Sequence, residues 1–294
     1  MSTRWFEIYA PLHEFRWNGD NFELASELWI KRFDQQPNLR GLDVALTQDE
    51  QNNIFYAQHW LTFRWNEGST LSPAEMVNLA LLSLWLVKPT KTHVAFRFHL
   101  GQEAAAAEKS YSRLLDRFAW VPGTIYDEIN IPDLQMASYY YPVLHDRCCA
   151  RGRLNDALVL TLAGCYSHQW QVVLICHAAA AEALLTYDTG PGVTRRLSKS
   201  YACLVETQQA QRDMAFREFS RLYSARSDVM HGRTHKVPST GRLPTLAQFE
   251  GMIRNLWRAV LSSPQVSTAL EGTDAQRKAH FLALQSGYTP PSPP

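Results

Sequence analysis

The second half of this 294-residue chain consists mostly of long segments with helical periodicity, which constrain the fold more than any other feature. From residue 156 onward, apolar residues recur every three or four positions in segments 156–167, 168–187, 193–205, 208–231, 245–261 and 275–285. Helices with one apolar face bury that face against each other. We therefore expect residues 151–294 to form a helical bundle that ends in a proline-rich tail.

One segment of this half, FSRLYSARSDVMHG at residues 219–232, suggests chemistry. Its apolar residues have helical spacing: Phe219, Leu222 and Tyr223. Arg226 stands among small polar neighbours, and His231 falls where the helix is expected to end. Gly232 supplies the left-handed residue that closes a helix, and a protonated His231 suits the negative end of the helix dipole.

The order Leu-Tyr-x-x-Arg-Ser-x-x-x-His-Gly resembles the signature of HEPN domains, and in particular their Apea-like branch. The residues that carry it are Leu222, Tyr223, Arg226, Ser227, His231 and Gly232. Segments 177–185 and 195–205 also resemble that family in order and spacing. The resemblance covers residues 155–262 and implies a HEPN-like helical domain in the second half.

Many HEPN proteins are metal-independent ribonucleases that act as dimers, often in bacterial toxin or anti-phage systems. The resemblance implies that Arg226 and His231 are catalytic, with Tyr223, Ser227 and Asp228 in support. It implies an endoribonuclease that needs no cofactor and no metal and cleaves RNA by attack of the 2′-hydroxyl group. The implied partners are RNA, a second copy of the chain through the C-terminal helices, and an antitoxin or a phage-derived trigger.

A non-catalytic module that dimerises or binds RNA or a nucleotide is the alternative. Many active HEPN proteins carry Asn, Asp or His directly after the arginine, where this chain has Ser227, as the Apea-like branch often does. On an ideal helix, residues five positions apart point about 140° from each other. One chain therefore does not bring Arg226 and His231 together, and catalysis requires a two-fold dimer.

Two further features lie near this motif in the sequence or in the expected bundle. Glu182 lies within the apolar helix HAAAAEALL and needs a partner; we expect an ion pair with Arg226 or another arginine, with a structural or a site-positioning role. Residues 229–249 contain no acidic residue. The basic residues of this loop are Arg233, His235, Lys236 and Arg242. They form either a solvated connection or a contact for RNA phosphates.

The first half, residues 1–150, mixes predicted strands and helices. Strands are expected at residues 4–12 and 92–100, and helices at residues 21–33, 73–87, 102–118 and 134–149. Segment 55–65 is ambiguous between helix and strand. We expect a small α+β domain of unknown role here, which makes the whole chain mainly α and α+β in class.

Seven tryptophans fall in the first half, and six of them precede residue 86: Trp5, Trp17, Trp29, Trp60, Trp65 and Trp85. The pattern favours ordinary core aromatics and leaves a stacking surface for bases as the alternative. Cys165 and His168 could face the same side of a helix, but zinc needs about four ligands and no second pair has suitable spacing. We expect no metal site.

The composition places bounds on the partners and on the compartment. The net charge is +1, so contact with nucleic acid must come from a local basic patch. Five cysteines, two of them adjacent, and no hydrophobic signal at the start predict a reducing, cytoplasmic location. The longest apolar run, residues 76–87, is too short for the roughly 20 residues of a membrane helix, so no membrane contact is expected.

Overall fold

The chain folds into two compact units, and along the described chain the first ends at Cys149 and the second begins at Ala150. The computed structural model describes residues 4–33, 46–90, 92–101, 109–113, 128–188, 191–233 and 239–291. These residues are mainly helical, with one antiparallel sheet in the first unit. The class is therefore mainly α within α+β, as the sequence predicted.

The first unit contains the sheet together with helices. Its strands are β1 (Trp5–Leu12), β2 (Asn21–Ala25), β3 (Leu28–Arg32), β4 (His59–Asn66), β5 (Phe96–Gly101) and β6 (Lys109–Arg113). Its helices are α1 (Gln48–Tyr56), α2 (Pro73–Val87) and α3 (Ile131–Ala150). The strand order is β2-β3-β4-β1-β5-β6, and every neighbouring pair is antiparallel.

Helix α2 begins and packs as the sequence predicted. Ser72 and Glu75 form a capping box, and Pro73 occupies the first turn, where its missing N–H group is not needed. Most side chains of α2 are buried, including Trp85. The apolar run at residues 76–87 is therefore a core helix.

The predicted helix at residues 21–33 is wrong, because this segment forms the hairpin of β2 and β3. Glu27 lies in the turn with a positive φ of 63°, and Phe22 pairs with Ile30 across the hairpin. Leu28 and Ile30 are buried with a more exposed residue between them. The apolar positions of this segment fit the period of a helix and the period of a strand equally well. Pairing of β3 with β4 selects the strand.

Two other predictions around the sheet need correction. Within the predicted helix at residues 102–118, Lys109–Arg113 is strand β6, and the rest of that segment lies outside the described residues. Strand β6 pairs with β5 and so satisfies the backbone groups along the edge of that strand. The predicted strand at 92–100 starts only at Phe96, and before it His93 forms an isolated antiparallel bridge with His13.

The second unit is described as helices only. They are α4 (Arg153–Tyr166), α5 (Trp170–Leu185), α6 (Val193–Val205), α7 (Gln209–Met230), α8 (Ser239–Leu261), α9 (Pro264–Glu271) and α10 (Asp274–Leu284). All except the short α9 were predicted, and α8 begins earlier than expected. The unit has the helical character that the periodic sequence indicated.

Helices α4 and α5 are tied together at their ends. The Glu271 carboxylate accepts hydrogen bonds from the backbone N–H groups of Arg153 and Leu154, both at 2.9 Å, and so caps the start of α4. The Arg153 side chain in turn donates to the carbonyl oxygens of Ala183 and Thr186 at the end of α5. These contacts fix the C-terminal turn of α5, which carries Glu182.

The middle of the α4–α5 pair depends on a glycine. A Cβ atom on Gly164 would lie 2.7 Å from the imidazole ring of His177, closer than such contacts occur. His177 is fully buried, and Ala178, Ala180 and Ala181 on α5 are buried as well. The small residues let the two helix backbones approach closely around the imidazole ring.

We expect Gly164→Ala to lower the free energy of unfolding by about 1–3 kcal/mol, because the added methyl group would overlap the buried imidazole ring of His177. The loss should exceed the gain of about 1 kcal/mol that alanine brings to a helix. Gly251→Ala in α8 is the matched control, since its new Cβ would have ordinary contacts. It should stabilise the protein slightly. Urea unfolding measures both, and a Gly164→Ala variant as stable as the wild type contradicts the packing argument.

Candidate functional site

The motif helix α7 is held by an aromatic stack on its buried side. Phe219 lies between Tyr201 of α6 and Tyr223, with ring centroids 4.8 and 5.9 Å away. Leu222 is also fully buried. Segment 219–230 is therefore helical, as predicted, and Arg226 follows Tyr223 by one turn, where α7 emerges from the core.

Arg226, Glu182 and Tyr223 form one polar network. Nη2 of Arg226 lies 3.0 Å from Oε1 of Glu182, and the Tyr223 hydroxyl group donates a hydrogen bond to the same oxygen. The guanidinium carbon of Arg226 is 5.7 Å from the centroid of the Tyr223 ring. The ion pair that the sequence predicted for Glu182 is present, and Arg226 is its partner.

This network remains partly open to solvent. The Arg226 side chain is 29% exposed and that of Glu182 is 31% exposed. Nε of Arg226 is buried and has no hydrogen bond to any described residue. The guanidinium group is thus fixed in orientation by Glu182 while part of it stays accessible, although its charge is balanced.

Burial and the Glu182 carboxylate both raise the pKa of Tyr223 above its usual value. Burial has the larger effect, the hydrogen bond and charge of Glu182 follow, and Arg226 opposes them. The Tyr223 hydroxyl group therefore keeps its proton at neutral pH. Tyr223 acts in this network as a donor that orients Glu182.

The C-terminal end of α7 closes as the sequence predicted. Gly232 has a φ of 71°, and its N–H group donates to the carbonyl oxygen of Val229 at 3.0 Å. The N–H group of Arg233 donates to the carbonyl oxygen of Asp228 at 2.7 Å, which completes a Schellman motif. His231 is the last residue before this turn, and its side chain is exposed.

The basic residues after α7 are only partly within the described chain. Nε of Arg233 lies 3.0 Å from Oδ1 of Asp228, so Asp228 balances the charge of Arg233 and braces the turn. His235 and Lys236 lie outside the described residues, and Arg242 belongs to α8 with its side chain outside them too. Ser227 is half-buried. The phosphate contacts proposed for Arg233, His235, Lys236 and Arg242 therefore all stay predictions.

The cysteines of α4 and α5, Cys165 and Cys176, are poor nucleophiles. Burial raises the pKa of Cys165 well above its usual value, and it also raises the pKa of Cys176. Burial lowers the pKa of His177 to about 3, with a smaller contribution from Arg254. Among the described residues, no three side chains of His, Cys, Asp or Glu come together as metal ligands would.

The six tryptophans considered as core aromatics or as a stacking surface for bases differ in burial. Trp17, Trp60 and Trp85 are buried and serve the core of the first unit. Trp5 is exposed, and Trp29 and Trp65 are half-buried. Core packing thus explains three of these six tryptophans.

Among the described helices, none combines the length and apolar character that crossing a bilayer requires. Comparison with models of known families, with curated protein sequences and with solved structures found no match to this chain. The α7 motif and the geometry around it are thus the features of the second unit that bear on function.

Proposed function

We propose that the second unit is a HEPN-type domain and that it acts as a metal-independent endoribonuclease. The observation that supports this most is the Glu182–Tyr223–Arg226 network. It holds a partly exposed guanidinium group in one orientation on the same helix that ends in the exposed His231. An oriented arginine and an exposed histidine are the residue types that RNA cleavage without metal requires.

The chemistry assigns a role to each side chain. A base removes the proton from the 2′-hydroxyl group, the 2′-oxygen bonds to phosphorus, and the bond to the 5′-oxygen breaks as an acid protonates that oxygen. His231 transfers protons, and the Arg226 guanidinium group binds the phosphate oxygens on which negative charge develops. The products carry a 2′,3′-cyclic phosphate and a 5′-hydroxyl group.

One chain supplies one histidine at the end of α7, whereas the reaction needs both a base and an acid. A two-fold dimer through the second unit supplies two histidines and two arginines around one cleft. We expect the full chain to sediment as a dimer at micromolar concentration. A monomer that cleaves RNA would contradict the dimer site.

Incubating the purified full chain with mixed RNA in EDTA tests the proposal. We expect internal cleavage that survives EDTA and leaves 2′,3′-cyclic phosphate ends, which mass spectrometry detects. Absence of cleavage, or cleavage that stops when metal is chelated, contradicts it. A toxin or anti-phage role is part of the same proposal, with an antitoxin or a phage component as the trigger, and predicts growth arrest on expression.

The second candidate function is a non-catalytic module that dimerises or binds RNA or a nucleotide. The observation that favours it is charge balance, because Glu182 pairs with Arg226 and Asp228 pairs with Arg233. A paired guanidinium group attracts phosphate less strongly than an unpaired one. Salt-sensitive RNA binding without turnover would select this function over the ribonuclease.

A further inference from the structure

A groove on the sheet of the first unit combines aromatic and charged side chains. Its volume is about 320 Å³, at the small end of the range of about 300–1,000 Å³ that small-molecule sites occupy. Half-buried Tyr9, Trp29 and Phe33 supply its aromatic lining. The sequence had offered a stacking surface for bases only as an alternative, and Trp29 belongs to that group.

The strand register places the lining on one face of the sheet. Tyr9 on β1 lies opposite Thr62 on β4, and Thr62 lies opposite Trp29 on β3, so the three form one row. Phe33 extends the aromatic lining, with its ring 6.2 Å from that of Tyr9. Tyr9 and Phe33 also pack on the buried cluster around Trp60, which gives the groove a rigid floor.

Both signs of charge line the groove. The Tyr9 hydroxyl group donates to Oε2 of Glu7 at 2.8 Å and so orients that carboxylate. Arg64 lies opposite Glu7 in the register and is exposed. The Lys31 ammonium group lies 5.7 Å from the centroid of the Trp29 ring. Glu27 also lines the groove, so two carboxylates and two cations border the aromatic surface.

These charges select the chemistry of the ligand. An apolar ligand would cover these four charged groups and offer them no partner. A ligand with a flat ring, hydroxyl groups and an anionic group offers a partner to each kind of lining group. The ring stacks on the aromatic side chains, the hydroxyl groups donate to the carboxylates of Glu7 and Glu27, and the anion meets Lys31 and Arg64.

We infer that this groove binds a nucleotide, with the base against Trp29 and the phosphate at Lys31 and Arg64. The same chemistry occurs in a free nucleotide and in one nucleotide of a single-stranded RNA. The inference does not depend on the proposed ribonuclease activity, because the groove lies in the first unit and the motif helix in the second. Either can fail without the other.

Calorimetry with the full chain at low salt provides the test. The probes are AMP, GMP, CMP, UMP and a ten-nucleotide 2′-O-methyl RNA, which lacks the 2′-hydroxyl group and resists cleavage. Saturable binding of mononucleotides supports a free nucleotide as the ligand, and binding of the oligonucleotide alone supports an RNA strand. Absence of saturable binding by every probe overturns the inference.

Variants locate the binding site. Trp29→Ala should weaken binding at least tenfold, whereas Trp29→Phe, which keeps a stacking ring, should stay within threefold of the wild type. The exposed Arg64→Gln should weaken binding and reduce its salt dependence without disturbing the core. Phe55→Ala and Arg16→Gln are the controls, because both side chains are exposed outside the groove. Binding that is unchanged in both Trp29→Ala and Arg64→Gln overturns the inference.

Discussion

Lowering the pH from 6.5 to 3 is expected to remove about 4 kcal/mol of folding stability through one buried group, His177. Burial lowers the pKa of His177 from 6.5 in the unfolded chain to about 3 in the folded protein. Above pH 6.5 both states hold neutral imidazole, and the contribution of His177 to stability is complete. Below pH 6.5 the unfolded chain binds a proton at His177 that the folded protein does not bind. Stability therefore falls until the pH reaches the pKa of His177 in the folded protein.

Urea unfolding at several pH values measures this contribution. His177→Gln should flatten the dependence by up to about 1.4 kcal/mol per pH unit over this range, because the variant lacks the titrating group. The informative quantity is the slope, since the substitution also changes stability at neutral pH. His168→Gln is the control, because His168 is exposed between α4 and α5. Parallel curves for the wild type and His177→Gln would show that the imidazole is not buried as described.

Replacing His231 with alanine is expected to slow RNA cleavage by about 100- to 10,000-fold, the usual contribution of a proton-transfer group. Its side chain is exposed at the end of α7, so the loss cannot be attributed to unfolding, and circular dichroism should be unchanged. Arg226→Lys keeps the charge and loses the planar fork, and we expect it to slow cleavage at least about tenfold. His168→Ala should cleave at the wild-type rate. A His231→Ala variant with full activity rules out the proposed site.

The Glu182→Gln variant separates a positioning role from a purely structural one. Glutamine can still accept the Tyr223 hydrogen bond, but it cannot pair with the Arg226 charge. If Glu182 orients the guanidinium group, cleavage should slow by about 10- to 100-fold while the unfolding midpoint changes little. If the ion pair serves only packing, stability should change and the activity of the folded fraction should not.

Local periodicity was enough to predict most helices of the second unit, because their apolar residues recur over many turns. The rule that a buried charge needs a partner predicted that Glu182, a carboxylate in an apolar helix, pairs with a cation. Periodicity failed at residues 21–33, where the apolar positions fit both helix and strand and pairing with β4 decides between them. It also failed at Lys109–Arg113, where the edge of β5 selects a strand.

Contacts between distant parts of the chain explain what the sequence could not predict. Glu271 caps a helix that begins more than a hundred residues earlier, and the residue types alone do not specify that partner. The groove of the first unit likewise requires the register of β1, β3 and β4, which brings Tyr9 and Trp29 into one row. The groove was indicated in the sequence only by the many tryptophans of the first half. Tryptophans that are buried in a core give the same pattern, so the sequence does not distinguish the two.

The Schellman motif at the end of α7 has a consequence for how an anion approaches His231. The carboxyl end of a helix carries about half a negative charge, so a phosphate group meets repulsion from the backbone there. The two N–H groups of Gly232 and Arg233 are already used within the turn and cannot compensate. Any affinity for nucleic acid at this end must therefore come from side chains alone, which predicts brief, strongly salt-dependent encounters.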